Sequence, residues 1–150
     1  MTSSPSFPPQ PLPPVYKVVV GIDYHSASEK GLALAFDIAL SRESQIYALT
    51  VAEGHAPGRP MKESEDMEKT FQDEAQQNLE KYLAVQLSEL EKKGARLNRK
   101  RIGAAVDFGT PAASILALAR SIEADLVIVG THGRSGIERL VLGSVAQEVL

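Results

Sequence analysis

Residues 124–144, ADLVIVGTHGRSGIERLVLGS, run from an apolar, β-branched segment straight into fifteen residues that contain four glycines. Leu126 to Val129 has the composition of a strand buried on both faces, as strands of parallel sheets are. Glycine weakens helices and strands alike, and it is useful where the backbone takes positive φ or another group must approach closely. The strand therefore exits into either a tight turn or a cradle. A new helix is expected near Ser144, and the unpaired N–H groups and dipole of a helix N-terminus favour an anion. Phosphate is the natural candidate.

Working outward from this stretch, strands and helices alternate. Residues 16–22 (YKVVVGI) predict a first strand. Ser26 and Glu29 have the S-x-x-E spacing of a capping box and open an Ala- and Leu-rich helix to about residue 40. Residues 45–51 predict a second strand, and residues 54–60, with two prolines and two glycines, a loop. Across residues 64–93, Met67, Phe71, Ala75, Leu79, Leu83, Leu87 and Leu90 recur at helical spacing, so that one face is expected to be buried and the other solvated. Residues 101–106 predict a third strand. Thr110 followed by Pro111 is a good N-cap and first helical position, opening a helix to about residue 122 that should bury Ile115, Leu116, Leu118 and Ala119. Strands alternating with helices in this way imply a parallel sheet with right-handed crossovers and helices on both faces.

The chain is 150 residues long, a size for one domain that buries a core without disulfide or metal staples. No apolar run approaches the roughly 20 residues that span a bilayer, so no membrane segment is expected. With no cysteine there is no disulfide framework, thiolate metal site or cysteine nucleophile, which suits a reducing cytoplasm. A net charge of −3 and a pI near 5.6 provide no global attraction to nucleic acid. The first fifteen residues, MTSSPSFPPQPLPPV, hold six of the nine prolines and lack the basic start and apolar core of a secretory signal. They are expected to form a disordered, solvated tail with polyproline II character, and PPQP and PLPP fit the PxxP pattern taken by proline-binding modules such as SH3 domains.

In an open α/β sheet, ligands bind beyond the carboxyl ends of the strands. The strand exits here are GIDYHS, LTVAEG, AVDFGTP and the glycine loop. The P-loop pattern G-x-x-x-x-G-K-[ST] and the dinucleotide fingerprint G-x-G-x-x-G are both absent. What the loop contains is Gly130-x2-Gly133-x9-Gly143-Ser144. This pattern resembles the nucleotide-binding signature of the universal stress protein family, G-x2-G-x9-G-[S/T], and the likeness extends from about residue 16 to residue 150.

The resemblance implies a Rossmann-like α/β fold, an open parallel sheet with helices on both faces and strand order 3-2-1-4-5, that binds ATP or another adenine nucleotide with Mg²⁺ on its phosphates. Asp23 would lie near the adenosine moiety and Val51 beside the adenine. Gly130 and Gly133 would form the turn that lets backbone amides reach the phosphates and ribose, with Arg134 as a candidate phosphate partner. Gly143, Ser144 and Val145 would form the helix start that holds the phosphate chain. Family members continue into a fifth strand that forms the sheet edge and commonly a homodimer contact; this sequence stops at Leu150, so that strand is expected to be missing from it, and a homodimer would use another surface than the usual sheet edge.

Several of these residues have simpler explanations. Asp23 could cap the following helix, although its place at the end of a central strand favours a ligand. His132 and Arg134 are of types usually solvated in loops. No helical pair or carboxylate–histidine spacing gathers His25, His55 and His132 into a metal site. The basic run Arg96, Arg99, Lys100 and Arg101 lacks the interleaved aromatics of a nucleic-acid surface. The functional expectation is a nucleotide-binding stress-response sensor. The alternatives are a slow ATPase or self-phosphorylating enzyme, and a nucleotide-free adaptor for other proteins. Efficient hydrolysis needs a positioned base and stabilisation of transition-state charge, and Asp23, Arg134 and Ser144 make no evident catalytic arrangement.

Overall fold

The computed structural model describes residues 15–52 and 61–130, with side chains of the second stretch from residue 66 onward. The described elements are β1 (Tyr16–Gly21), α1 (Ser26–Ser41), β2 (Ser44–Ala52), α2 (Met61–Lys92), a 3-10 turn (Arg99–Arg101), β3 (Ile102–Phe108), α3 (Pro111–Ile122) and β4 (Leu126–Ile128). The four strands are parallel and stand in the order β3-β2-β1-β4. This is the α/β architecture expected from the alternating elements and the 3-2-1-4 order implied by the resemblance. The expected proline-rich tail, the loop at residues 54–60 and the helix near Ser144 lie outside the described residues.

Successive side chains of a strand point to opposite faces, and Val18, Val19 and Val20 of β1 are all fully buried. Val18 and Val20 join Ile46 and Ala48 under Leu32, Ala35 and Phe36 of α1 and Leu79, Leu83 and Leu87 of α2. Val19 and Leu49 face the other way, onto Ile115, Leu116 and Ala119 of α3. Helices thus cover both faces. At the amino end of the sheet, the Lys17 N–H donates to Asp125 Oδ2 (2.8 Å), the Asp125 N–H donates to the Lys17 carbonyl (2.8 Å), and Lys17 Nζ donates to the carbonyl of Ile122 at the end of α3 (2.9 Å). These bonds fix where β4 joins β1.

Two local expectations are corrected. The capping box does not form: His25 is the N-cap, Ser26 is already helical, and no side chain caps the helix. The hydroxyl that stitches the turn belongs to Ser28. The apolar stripe of α2 is also only half core, because Met67 and Phe71 are 63% and 51% exposed. The cause is length. At about 1.5 Å per residue the 32-residue helix spans about 48 Å, whereas β2, the longest described strand with 9 residues, spans about 30 Å. Helix α2 enters from the carboxyl end of β2 and leads to the amino end of β3, so its first turns overhang the carboxyl edge of the sheet. Farther along, Gln76 Nε2 donates to the carbonyl of Ala104 (3.0 Å) on the edge strand β3 and to Glu80 Oε1 (3.0 Å), which partly covers that edge.

Candidate functional site

A cavity of about 480 Å³ lies at the carboxyl ends of the strands, a volume typical of small-molecule sites. Three sequence-derived candidates meet there: Asp23 after β1, Val51 at the end of β2 and Gly130 after β4. The other five, Gly133, Arg134, Gly143, Ser144 and Val145, lie outside the described residues.

The turn after β1 is built by hydrogen bonds around Asp23. The Ile22 N–H donates to the Leu49 carbonyl (2.8 Å) and Thr50 Oγ1 donates to the Ile22 carbonyl (2.8 Å), which extends the tie between β1 and β2 past the end of β1. Asp23 Oδ1 accepts from the His25 N–H (2.9 Å). The Asp23 N–H donates to Ser28 Oγ (3.3 Å), whose hydroxyl donates to the His25 carbonyl (3.1 Å). Asp23 therefore shapes the turn that leads into α1 rather than capping the helix, and its Oδ1 alone is engaged among the described residues. It is also the one charged side chain on the described part of the cavity wall, so an anionic group is better accommodated towards the Gly130 end.

Gly130 has a structural reason to be glycine beside the one expected. A Cβ there would stand 3.0 Å from Ala27 Cβ, 3.1 Å from the Ser28 nitrogen and 3.2 Å from the Ala27 carbonyl carbon. Close packing of β4 against the first turn of α1 therefore requires it, before any ligand is considered.

Several wall residues escaped the sequence reading. Tyr24 adopts φ 64°, an uncommon conformation for a bulky residue. Its ring meets that of Tyr82 edge-on, with centroids 5.1 Å apart and planes at 86°. Burial raises the Tyr24 phenol above its ordinary value, opposed by hydrogen bonding to Thr50. Burial raises Tyr82 too, reinforced by Glu29, Asp23 and Tyr24, and the buried Tyr82 hydroxyl has no hydrogen-bond partner among the described residues. Phe71, Ala75 and Asn78 complete the wall from the overhang of α2. The signal for them was the mismatch between a thirty-residue helical pattern and strands of at most nine residues.

Comparison with known proteins decides the family. The model of the Universal stress protein family matches residues 15–150. The chain belongs to that family. Among curated relatives, Universal stress protein MJ0531 of Methanocaldococcus jannaschii is 29% identical over 136 residues, covering 89% of this chain and 75% of that protein. Universal stress protein Rv2623 of Mycobacterium tuberculosis is 32% identical over 143 residues, covering 93% of this chain, which spans only 43% of that longer relative. Solved universal stress proteins share the fold. UspA from Lactobacillus plantarum superimposes with a TM-score of 0.65 at 18% identity, covering 89% of each chain. A universal stress protein in complex with cAMP gives 0.53 at 24% identity, covering 89% of this chain and 88% of that one. Among the described residues of this universal stress protein, no helix is long and apolar enough to cross a membrane.

Proposed function

We propose that this universal stress protein binds an adenine nucleotide, ATP or a relative of it, across the carboxyl ends of β1, β2 and β4, and acts as a regulatory stress-response sensor. The observation that carries this reading is the convergence of Asp23, Val51 and Gly130 on one cavity in a chain that continues into the Gly130-x2-Gly133-x9-Gly143-Ser144 pattern. The cAMP bound to a family member of the same fold adds support for the adenosine class.

Asp23 would face the adenosine moiety and Val51 the base. Gly130, Gly133, Gly143, Ser144 and Val145 would receive the phosphates on backbone amides and a hydroxyl, with Arg134 neutralising charge. No group of three His, Asp or Glu side chains among the described residues could hold a metal ion. Mg²⁺, which commonly keeps several waters and binds through substrate phosphates, would therefore ride on the nucleotide. The protein is proposed to be cytoplasmic, to assemble as a homodimer, and to offer the proline-rich sequence of residues 1–15 to a proline-binding partner. Mass spectrometry of small molecules released by denaturing protein purified without added nucleotide tests the binding reading. Recovery of an adenine nucleotide near one per chain is expected; recovery of none, with no binding on adding ATP, overturns it and favours a nucleotide-free adaptor.

A further inference from the structure

The overhanging turns of α2 present one stripe to the cavity, Phe71, Ala75 and Asn78, spaced i, i+4 and i+7 along a single helix face. Phe71 is 51% exposed although it is a large hydrophobe. Its ring is steadied by Phe108 at the end of β3, with centroids 6.2 Å apart and planes at 39°. Ala75 leaves a shallow step beside it. Asn78 is exposed, and its amide makes no hydrogen bond to any described residue, whereas the neighbouring Gln76 amide is tied to Glu80 and Ala104. One amide holds the helix to the sheet edge and the other is available to a ligand.

We propose that this stripe recognises a purine base, with Phe71 stacking on the ring face and Asn78 pairing with the ring edge. The inference rests on the nucleotide reading and deepens it. The stripe carries no cation and so does not suit phosphate. An aromatic face held at a cavity wall suits a base, since every base has a π-face to stack. A carboxamide offers one donor and one acceptor side by side, complementary to adenine, whose edge presents an amino donor beside a ring-nitrogen acceptor.

Calorimetric titration of the full chain with ATP and with GTP tests this. Phe71→Ala should weaken both nucleotides by about tenfold, within the usual range for loss of base stacking, while Phe71→Tyr binds as the parent does. Asn78→Asp should shift the ratio of ATP to GTP affinity by about tenfold towards GTP, because a carboxylate accepts only and matches the adjacent N–H groups of guanine. Phosphate repulsion cancels in that ratio. Both side chains are exposed, so all variants should keep the parent's circular dichroism and melting temperature. If the parent binds ATP while Phe71→Ala binds as tightly and Asn78→Asp leaves the ratio unchanged, the α2 stripe is not the base site and nucleotide binding stands. If the parent binds neither nucleotide, both readings fall.

Discussion

Replacing Gly130 by alanine tests how the site is anchored, because the structure gives the cost of a single methyl group there. The new Cβ would stand 3.0, 3.1 and 3.2 Å from Ala27 Cβ, the Ser28 nitrogen and the Ala27 carbonyl carbon. Comfortable carbon contacts begin near 3.5 Å, and two of these three neighbours are backbone atoms at the start of α1 that cannot rotate away. The φ of Gly130 is not in the left-handed region, so the cost is steric alone. Overpacking of this kind costs about 1–3 kcal/mol, which for a chain of this size lowers Tm by about 3–10 °C. Gly21→Ala is the control. Its Cβ would meet the side-chain ends Ile115 Cδ1 (3.2 Å) and Val129 Cγ1 (3.4 Å), which can shift, so the loss should be under about 1 kcal/mol. Thermal melts followed by circular dichroism, with urea titrations for ΔG, decide the matter. Equal Tm for Gly130→Ala and the parent would refute the close approach of β4 to α1.

Other outcomes follow from single features of the structure and the proposed site. Gly94 has φ +90°, and a Cβ added there would meet nothing within 4 Å. Its replacement by alanine should therefore cost about 1–2 kcal/mol from backbone strain alone, read as a drop in urea midpoint at constant slope. Raised folded-state values for Tyr24 and Tyr82 mean that the native state holds their protons more tightly than the unfolded chain. The stabilisation they confer is complete below the ordinary phenol value of about 10 and is lost as pH rises through the folded-state values, so Tyr82→Phe should flatten the alkaline fall in ΔG; an unchanged fall in both Tyr24→Phe and Tyr82→Phe would contradict it. Gly143→Val should abolish ATP binding with circular dichroism intact, and unchanged calorimetric affinity would remove that residue from the site. ATP turnover should lie far below the enzyme median of about 10 per second; turnover at that rate, lost in Asp23→Ala, would make the protein an enzyme.

The sheet was legible because β1 announces itself: three consecutive valines flanked by a polar turn leave little choice but a strand covered on both faces, and the structure buries all three. Thr110-Pro111 likewise marked the start of α3 at its observed position. The turn after β1 was harder. Ser26 and Ser28 both lie in the first turn of α1, and only the three-dimensional path, with Tyr24 in the left-handed region, makes Ser28 the residue that holds Asp23. Periodicity marked Phe71 and Leu79 as one stripe, but it carries no information on where the sheet ends. Leu79 therefore became core and Phe71 cavity wall. Gly130 shows the same limit from the other side, since a glycine suited to phosphate approach and a glycine required by helix–strand contact look identical in sequence.

The proposed location of the ligand is tested most directly by backbone amide chemical shifts of the isotopically labelled chain as ATP is added. Saturable shifts should concentrate at Asp23, Val51 and Gly130, with Tyr16 and Ile102 at the opposite end of the sheet unmoved. Shifts centred on Tyr16 and Ile102, or none anywhere at millimolar ATP, would contradict nucleotide binding at the carboxyl ends of the strands.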